Sequence, residues 1–222
     1  MTFSILARDP ESGAIGGAAA TGSYCVGGWV LRGALGAGMS ASQGAAPSTF
    51  WGEDVLAVMR GGLSAKTAID AVTGPDTGRE WRQLSALSPA GEGAVFTGAS
   101  NTPATAGRIF RNGVAAGNML ASSGVIDGMV DGFLAAGGSL AKRLLTALRA
   151  AEAAGSDSRG LLSAALLVLH PDRPPLTLRI DAHPSDPIGA LAMLHEKTST
   201  GHYAEWLDDV PTWNDRTRTG DH

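Results

Sequence analysis

Cysteine is all but missing from this chain of 222 residues: Cys25 stands alone. No internal disulfide can form, which fits a reducing compartment. Long apolar runs are missing as well. The longest, Ala164 to Leu169, is far too short to span a bilayer. The opening MTFSILARDP has no basic stretch leading into a long apolar one, so it does not read as a secretory leader. A cytoplasmic protein without membrane contact is expected. There is no Lys/Arg-rich run either, and the formal net charge is -4, so the phosphate-binding term of a nucleic-acid partner is lacking. No linker-like stretch divides the chain and no internal repeat is visible, which argues for one domain.

What is present is a globular balance, 44% hydrophobic and 17% charged residues. A chain of this length buries roughly 70% of the surface that its unfolded form exposes. Glycine is the informative excess, at 31 residues. Gly16-Gly17, Gly27-Gly28, Gly36 and Gly38 fall inside strand-like runs, where glycine marks a bulge or a close approach of backbone or ligand.

Thr2 to Arg8 and Ala14 to Thr21 are β-prone, with turn chemistry in Asp9-Pro10-Glu11-Ser12-Gly13 between them. Val26 to Arg32 and Leu35 to Ser42 read as two more strands separated at Gly33. Ser48 or Thr49 caps a helix to about Arg60, and Ser64 caps a second to about Val72. Arg82 to Ser88, Gly93 to Gly98 and Arg108 to Ala116 read as strands. Val125, Met129 and Phe133 then repeat every fourth residue, and Leu140, Leu144, Ala147, Leu148 and Ala151 trace one helical face. Homo-oligomerisation through that face stays open. Leu161 to Leu169 is a buried strand with Leu176 to Ile180 as its partner, and Asp186-Pro187 opens a last helix to about His195. Residues 197–222 are polar and irregular, and are set apart as a tail from a domain spanning 2–196. Helix pairs between blocks of antiparallel strands exclude a doubly wound parallel sheet. They predict an α+β fold in four αββα layers, two mainly antiparallel sheets flanked by helix pairs.

Seven segments, in one order, resemble a single group, the domain-of-unknown-function family 1028: Met1-Thr2-Phe3-Ser4-Ile5, Ser42-Gln43, Arg82-Gln83, Gly117-Asn118-Met119-Leu120, Lys142-Arg143-Leu144-Leu145, Arg159-Gly160 with Ser163-Ala164-Ala165, and Arg179-Ile180-Asp181-Ala182-His183. The resemblance covers residues 2 to about 196. It departs at Gly155-Ser156-Asp157-Ser158-Arg159-Gly160, where the family carries paired glycines and a second arginine, and at the tail. That family is placed among the N-terminal nucleophile (Ntn) hydrolases, so the resemblance implies their proteasome-like fold. It also implies amide-bond hydrolysis, with Thr2 exposed as the new N-terminus once Met1 is removed.

A threonine hydroxyl is a weak nucleophile until a base takes its proton, and the α-amine of the same residue can do so. An acylated nitrogen has no basic lone pair, so Met1 must be gone. By similarity to proteasome-type enzymes, backbone N–H groups at Gln43 and Gly44 face the scissile carbonyl. Asn118 lies beside the amine, Asp157 holds and tunes it, and Arg159 pairs with Asp157 or grips an anionic group. Ser23 and Cys25 are candidates for the same pocket, although a lone cysteine in a glycine-rich run also reads as inert packing. Asp181, His183 and Asp186 have an alternating spacing that could bind a metal, but no second histidine adjoins them and a strand-end turn is the simpler reading. Gly36-Ala37-Gly38 lacks the lysine-serine ending of a phosphate loop. No metal or cofactor is expected. The expected substrate is a small amide or peptide. The alternative is an inactive small-molecule binding module on the same fold.

Overall fold

The computed structural model describes residues 1–155 and 160–220. Strand β1 (Thr2–Arg8) folds back into β2 (Ile15–Thr21) around Asp9, whose carboxylate accepts from Ser12 Oγ at 2.6 Å and whose carbonyl accepts from Gly13 N at 3.0 Å. A single helical turn, α1 (Val26–Trp29), leads to the hairpin β3 (Leu31–Ala34) and β4 (Gly38–Gly44). Helices α2 (Thr49–Arg60) and α3 (Ala65–Thr73) follow, each started by its serine: Ser48 accepts from Trp51 N and Ser64 from Thr67 N. Four strands come next, β5 (Arg82–Leu87), β6 (Gly93–Thr97), β7 (Ala106–Phe110) and β8 (Gly113–Asn118). The chain continues with α4 (Gly124–Ala135), α5 (Leu140–Gly155), β9 (Ser163–His170), β10 (Arg173–Ile180), α6 (Pro187–Thr198) and α7 (Gly201–Trp206).

The protein is thus α+β, with two antiparallel sheets. The larger runs β10-β9-β2-β1-β8-β7 and the smaller β3-β4-β5-β6. Period-two alternation in β1 serves two cores at once. Phe3, Ile5 and Ala7 join Met129, Leu144 and Leu148 under α4 and α5, while Leu6 joins Met39, Leu87 and Val114 between the sheets. A third core packs Trp51, Val55 and Ile69 of α2 and α3 on Leu84 and Ala86 of the small sheet. Three cores separate four layers, helices outside and sheets inside.

Three expectations are corrected in detail. Val26–Trp29 is helical, not extended, and its glycines explain why: a Cβ on Gly27 would lie 2.7 Å from Ala165 Cβ and 2.8 Å from Arg179 Cγ, so only a bare backbone lets this turn rest on β9 and β10. Residues 108–116 are two strands, not one. They fold at Arg111-Asn112, where Asn112 takes the left-handed conformation that asparagine tolerates. Strand β10 begins at Arg173 and includes Pro174 and Pro175, which an edge strand admits because one side of its backbone needs no partner.

The C-terminal segment is more ordered than its composition suggests. Asp186 caps α6, accepting from Gly189 N at 2.7 Å and from Arg149 Nη2 at 2.7 Å, and the Arg149 guanidinium holds its carboxyl below the usual range. Thr212 is buried, and Asn214 donates to Pro171 O and to Asp172 Oδ1, which ties the tail onto the β9–β10 turn. Among the described residues no helix is long and apolar enough to cross a membrane.

Two glycines with positive φ separate strain from collision. At Gly62 a Cβ would meet nothing within 4 Å, whereas at Gly38 it would strike the Leu87 carbonyl of the neighbouring strand. Gly62→Ala is expected to cost about 1 kcal/mol, the price of the backbone conformation alone. Gly38→Ala should cost more than about 2 kcal/mol by urea unfolding, and equal losses would contradict the close packing at β4.

Candidate active site

The turn at residues 9–13 sets the hairpin register so that Thr2 pairs with Thr21, and the β1–β8 ladder pairs Thr2 with Asn118. Residues opposite one another in a ladder share a face. Thr21, Thr2 and Asn118 therefore stand in a row at one end of the large sheet, on the side turned toward the small sheet. Thr2 Oγ1 lies 2.9 Å from Thr21 Oγ1. Thr21 gives its one hydroxyl proton to Met1 O at 2.8 Å, so the shared proton of the pair comes from Thr2.

Behind this row a chain of side-chain amides bridges the sheets. Ser4 Oγ donates to Gln43 Oε1 at 2.8 Å, and Gln43 Nε2 donates to Gln83 Oε1 at 2.8 Å, with longer contacts to the carbonyls of Thr2 (3.4 Å) and Ala116 (3.3 Å). Gln83 Nε2 in turn donates to Thr97 Oγ1 at 2.9 Å and to Gly117 O at 3.1 Å. Ser4, Gln43 and Gln83 are all buried. The Gln43 amide is committed to holding β1 and β8 against β4 and β5, so it is a brace for Thr2. It has no donor to spare for a substrate.

A cavity of about 470 Å³ opens over the row. Thr2, Thr21, Gln43 and Asn118 line it at the sheet ends. Gly44, Ala45 and Pro47 contribute from the β4–α2 connection, and Ser23, Tyr24, Trp29 and Met119 from the other segments around it. Met1 also lines it and is 3% exposed. The wall after β4 is fixed from behind, because Ala45 N donates to Asn101 Oδ1 at 3.0 Å and Arg82 Nε donates to Ala46 O at 3.0 Å. The segment carrying Ser23 and Tyr24 is pinned by Ser163 Oγ, which donates to Ser23 O at 2.7 Å and accepts from Val26 N at 3.1 Å.

Two features mark this cavity chemically. Among the described residues, no Asp, Glu, His, Lys or Arg lines it. Asn118 is 1% exposed and its Oδ1 has no hydrogen-bond partner. An unpaired buried acceptor costs about 1–3 kcal/mol, so its retention at a cavity wall calls for a donor from outside the fold or from a rearranged N-terminus.

Thr2, Gln43, Gly44, Ser23 and Asn118 are thus brought together. Cys25 is not: it precedes α1 with φ 60°, donates its N–H to Asp181 O at 2.9 Å, and the lining passes over it from Tyr24 to Val26. Asp157 and Arg159 lie outside the described residues. Asp181, His183 and Asp186 are each engaged locally: Asp181 Oδ1 takes the Arg179 guanidinium, His183 Nδ1 accepts from Asp186 N, and Asp186 caps α6. Thr21 and Trp29 were not singled out from the sequence. Thr21 was accessible by counting, since pairing Arg8 with Ile15 fixes Thr2 opposite Thr21.

A family model described as "family of unknown function (DUF1028)" matches residues 2–191. The chain belongs to DUF1028. A crystal structure of another DUF1028 protein, from Silicibacter pomeroyi, is 57% identical with a TM-score of 0.96, covering 100% of this chain and 96% of that one. The likeness therefore runs through the C-terminal segment that the sequence reading set apart. Anbu (ancestral beta-subunit) from Yersinia bercovieri is a remote likeness, 12% identical with a TM-score of 0.41, covering 88% of this chain and 94% of that one. No curated protein matches the chain.

The amide bridge of this DUF1028 protein makes a stability prediction. Gln83→Leu leaves the Gln43 amide, the Thr97 hydroxyl and the carbonyls of Ala106 and Gly117 short of a partner and should cost about 2–4 kcal/mol, and Ser4→Ala about 1 kcal/mol. Because both act through Gln43, the double variant should lose less than the sum, by about 0.5 kcal/mol or more in urea unfolding. Strict additivity would mean that the two bonds are independent.

Proposed function

We propose that this protein is an Ntn-type amide hydrolase whose nucleophile is Thr2 after removal of Met1. One observation carries the reading: the Thr2 hydroxyl sits in a cavity with no Asp, Glu, His, Lys or Arg side chain among its described walls, at the first position of a central strand. The base nearest to it is then its own α-amine, once that nitrogen is no longer acylated. The four-layer arrangement and the resemblance of the Met1 to Ile5 segment support the same reading.

The chemistry follows from those atoms. The Thr2 amine takes the hydroxyl proton as Oγ1 attacks the amide carbonyl carbon. The tetrahedral adduct collapses, its C–N bond breaks, and the leaving nitrogen receives that proton. Water, deprotonated by the same amine, then cleaves the Thr2 ester and releases the acid. Loss of Met1 also removes the carbonyl that now occupies the Thr21 hydroxyl, so Thr21 becomes able to donate to Oγ1 and orient it. Asn118 Oδ1, on the paired position of β8, is suited to accept from the freed amine or from the substrate.

The second reading, a binding module without catalysis, has one observation in its favour: Met1 is buried and its carbonyl accepts from Thr21 Oγ1 and Gly22 N, as though part of the finished fold. Intact mass of the purified protein separates them. The hydrolase reading expects Met1 to be absent and requires turnover that Thr2→Ala lowers at least ~10³-fold while Thr2→Ser retains part of it. Its rate should rise with pH through about 8 as the amine loses its proton. Retained Met1, or full activity in Thr2→Ala, removes Thr2 from the chemistry.

A further inference from the structure

We infer that the ligand of this cavity is a small amide that bears an aromatic ring and keeps its N–H. The inference rests on the hydrolase reading above for its catalytic meaning, but its binding consequences stand apart from turnover.

The first ground is the mouth. Tyr24 is 65% and Trp29 52% exposed, and both line the cavity together with the half-exposed Met119. Two of the twelve aromatic residues are thus spent, exposed, on the wall of one opening, although aromatic side chains are the ones whose burial is worth most. An apolar collar continuous with a concave site fits a ligand's ring better than it fits solvent.

The second ground is the unpaired Asn118 Oδ1 on the inner wall. It is an acceptor, and a ligand's amide N–H is a donor that fits it at the group to be cleaved.

The test is calorimetric titration of the Thr2→Ala protein, which keeps the ligand intact, with 3-phenylpropionamide, its methyl ester counterpart and propionamide. The aryl amide should bind, and the ester should bind about tenfold more weakly because it offers no N–H to the buried acceptor. The ring-free propionamide should fall at least about tenfold. Adding Asn118→Leu should erase the difference between amide and ester while raising the unfolding midpoint, since a buried unpaired acceptor disappears. Adding Trp29→Ala, at an exposed position, should erase the advantage of the ring without altering the fold. Equal affinity for propionamide, or no binding of the aryl amide, would each overturn the inference. Turnover of the same compounds by the wild-type protein reads the other question. Thr2-dependent hydrolysis of ring-free amides alone would sink this ligand class and leave the hydrolase standing. Tight binding of the aryl amide with no hydrolysis would do the reverse.

Discussion

The amide-to-amide bond between Gln43 and Gln83 is the constraint on which the rest of the site depends. Two sheets packed through aliphatic side chains alone can slide, because apolar contacts are non-directional. A buried carboxamide cannot follow such a slide without losing its partner, and in this low-dielectric setting the loss is felt in full. Ser4, Gln43, Gln83 and Thr97 form one satisfied chain across the gap, and it touches the carbonyls of Thr2, Ala116 and Gly117. The position of Thr2 is therefore referenced to both sheets, not merely to its own.

Register does the remaining placement. A one-residue slip in the β1–β2 hairpin would turn Phe3, Ile5 and Ala7 out of the helix-side core and Leu6 out of the inter-sheet core. Hydrophobic burial thus holds the ladder in the one alignment that sets Thr2 between Thr21 and Asn118. The geometry of the site is enforced by residues that have no part in its chemistry. That separation lets one polar atom at the sheet end, Asn118 Oδ1, remain unpaired.

The layer order was legible in the sequence because it follows from coarse signals: helical periodicity at Leu140 to Ala151, the serine caps at Ser48 and Ser64, and antiparallel strand blocks. Thr2, Asn118 and Gln43 were legible as members of one site through the resemblance, not through spacing. The aromatic part of the cavity wall was not, since Tyr24 and Trp29 come to it only through the segment around the helical turn α1. The bracing role of the Gln43 side chain, beside the backbone role that the resemblance implies, was not legible, because side-chain commitment depends on Gln83, forty residues away and on another strand. The helical turn at Val26–Trp29 was missed for a similar reason. Glycines in a β-prone run look like a strand until Arg179 and Ala165 are known to crowd them.

Among the described walls of the cavity no Asp, Glu, His, Lys or Arg side chain is present to act as a base, and the proposed mechanism needs none. A base works only within reach of the proton it takes. In that mechanism the base is the amine on the same residue as the hydroxyl, so the register that sets Thr2 between Thr21 and Asn118 places both groups at once. Tyr24, Trp29, Pro47 and the carboxamides of Gln43 and Asn118 shape the space around them without competing for the proton. On the proposed reading, described side chains that hold no base and a threonine at the start of a central strand are two sides of one arrangement, in which the nucleophile carries its base with it.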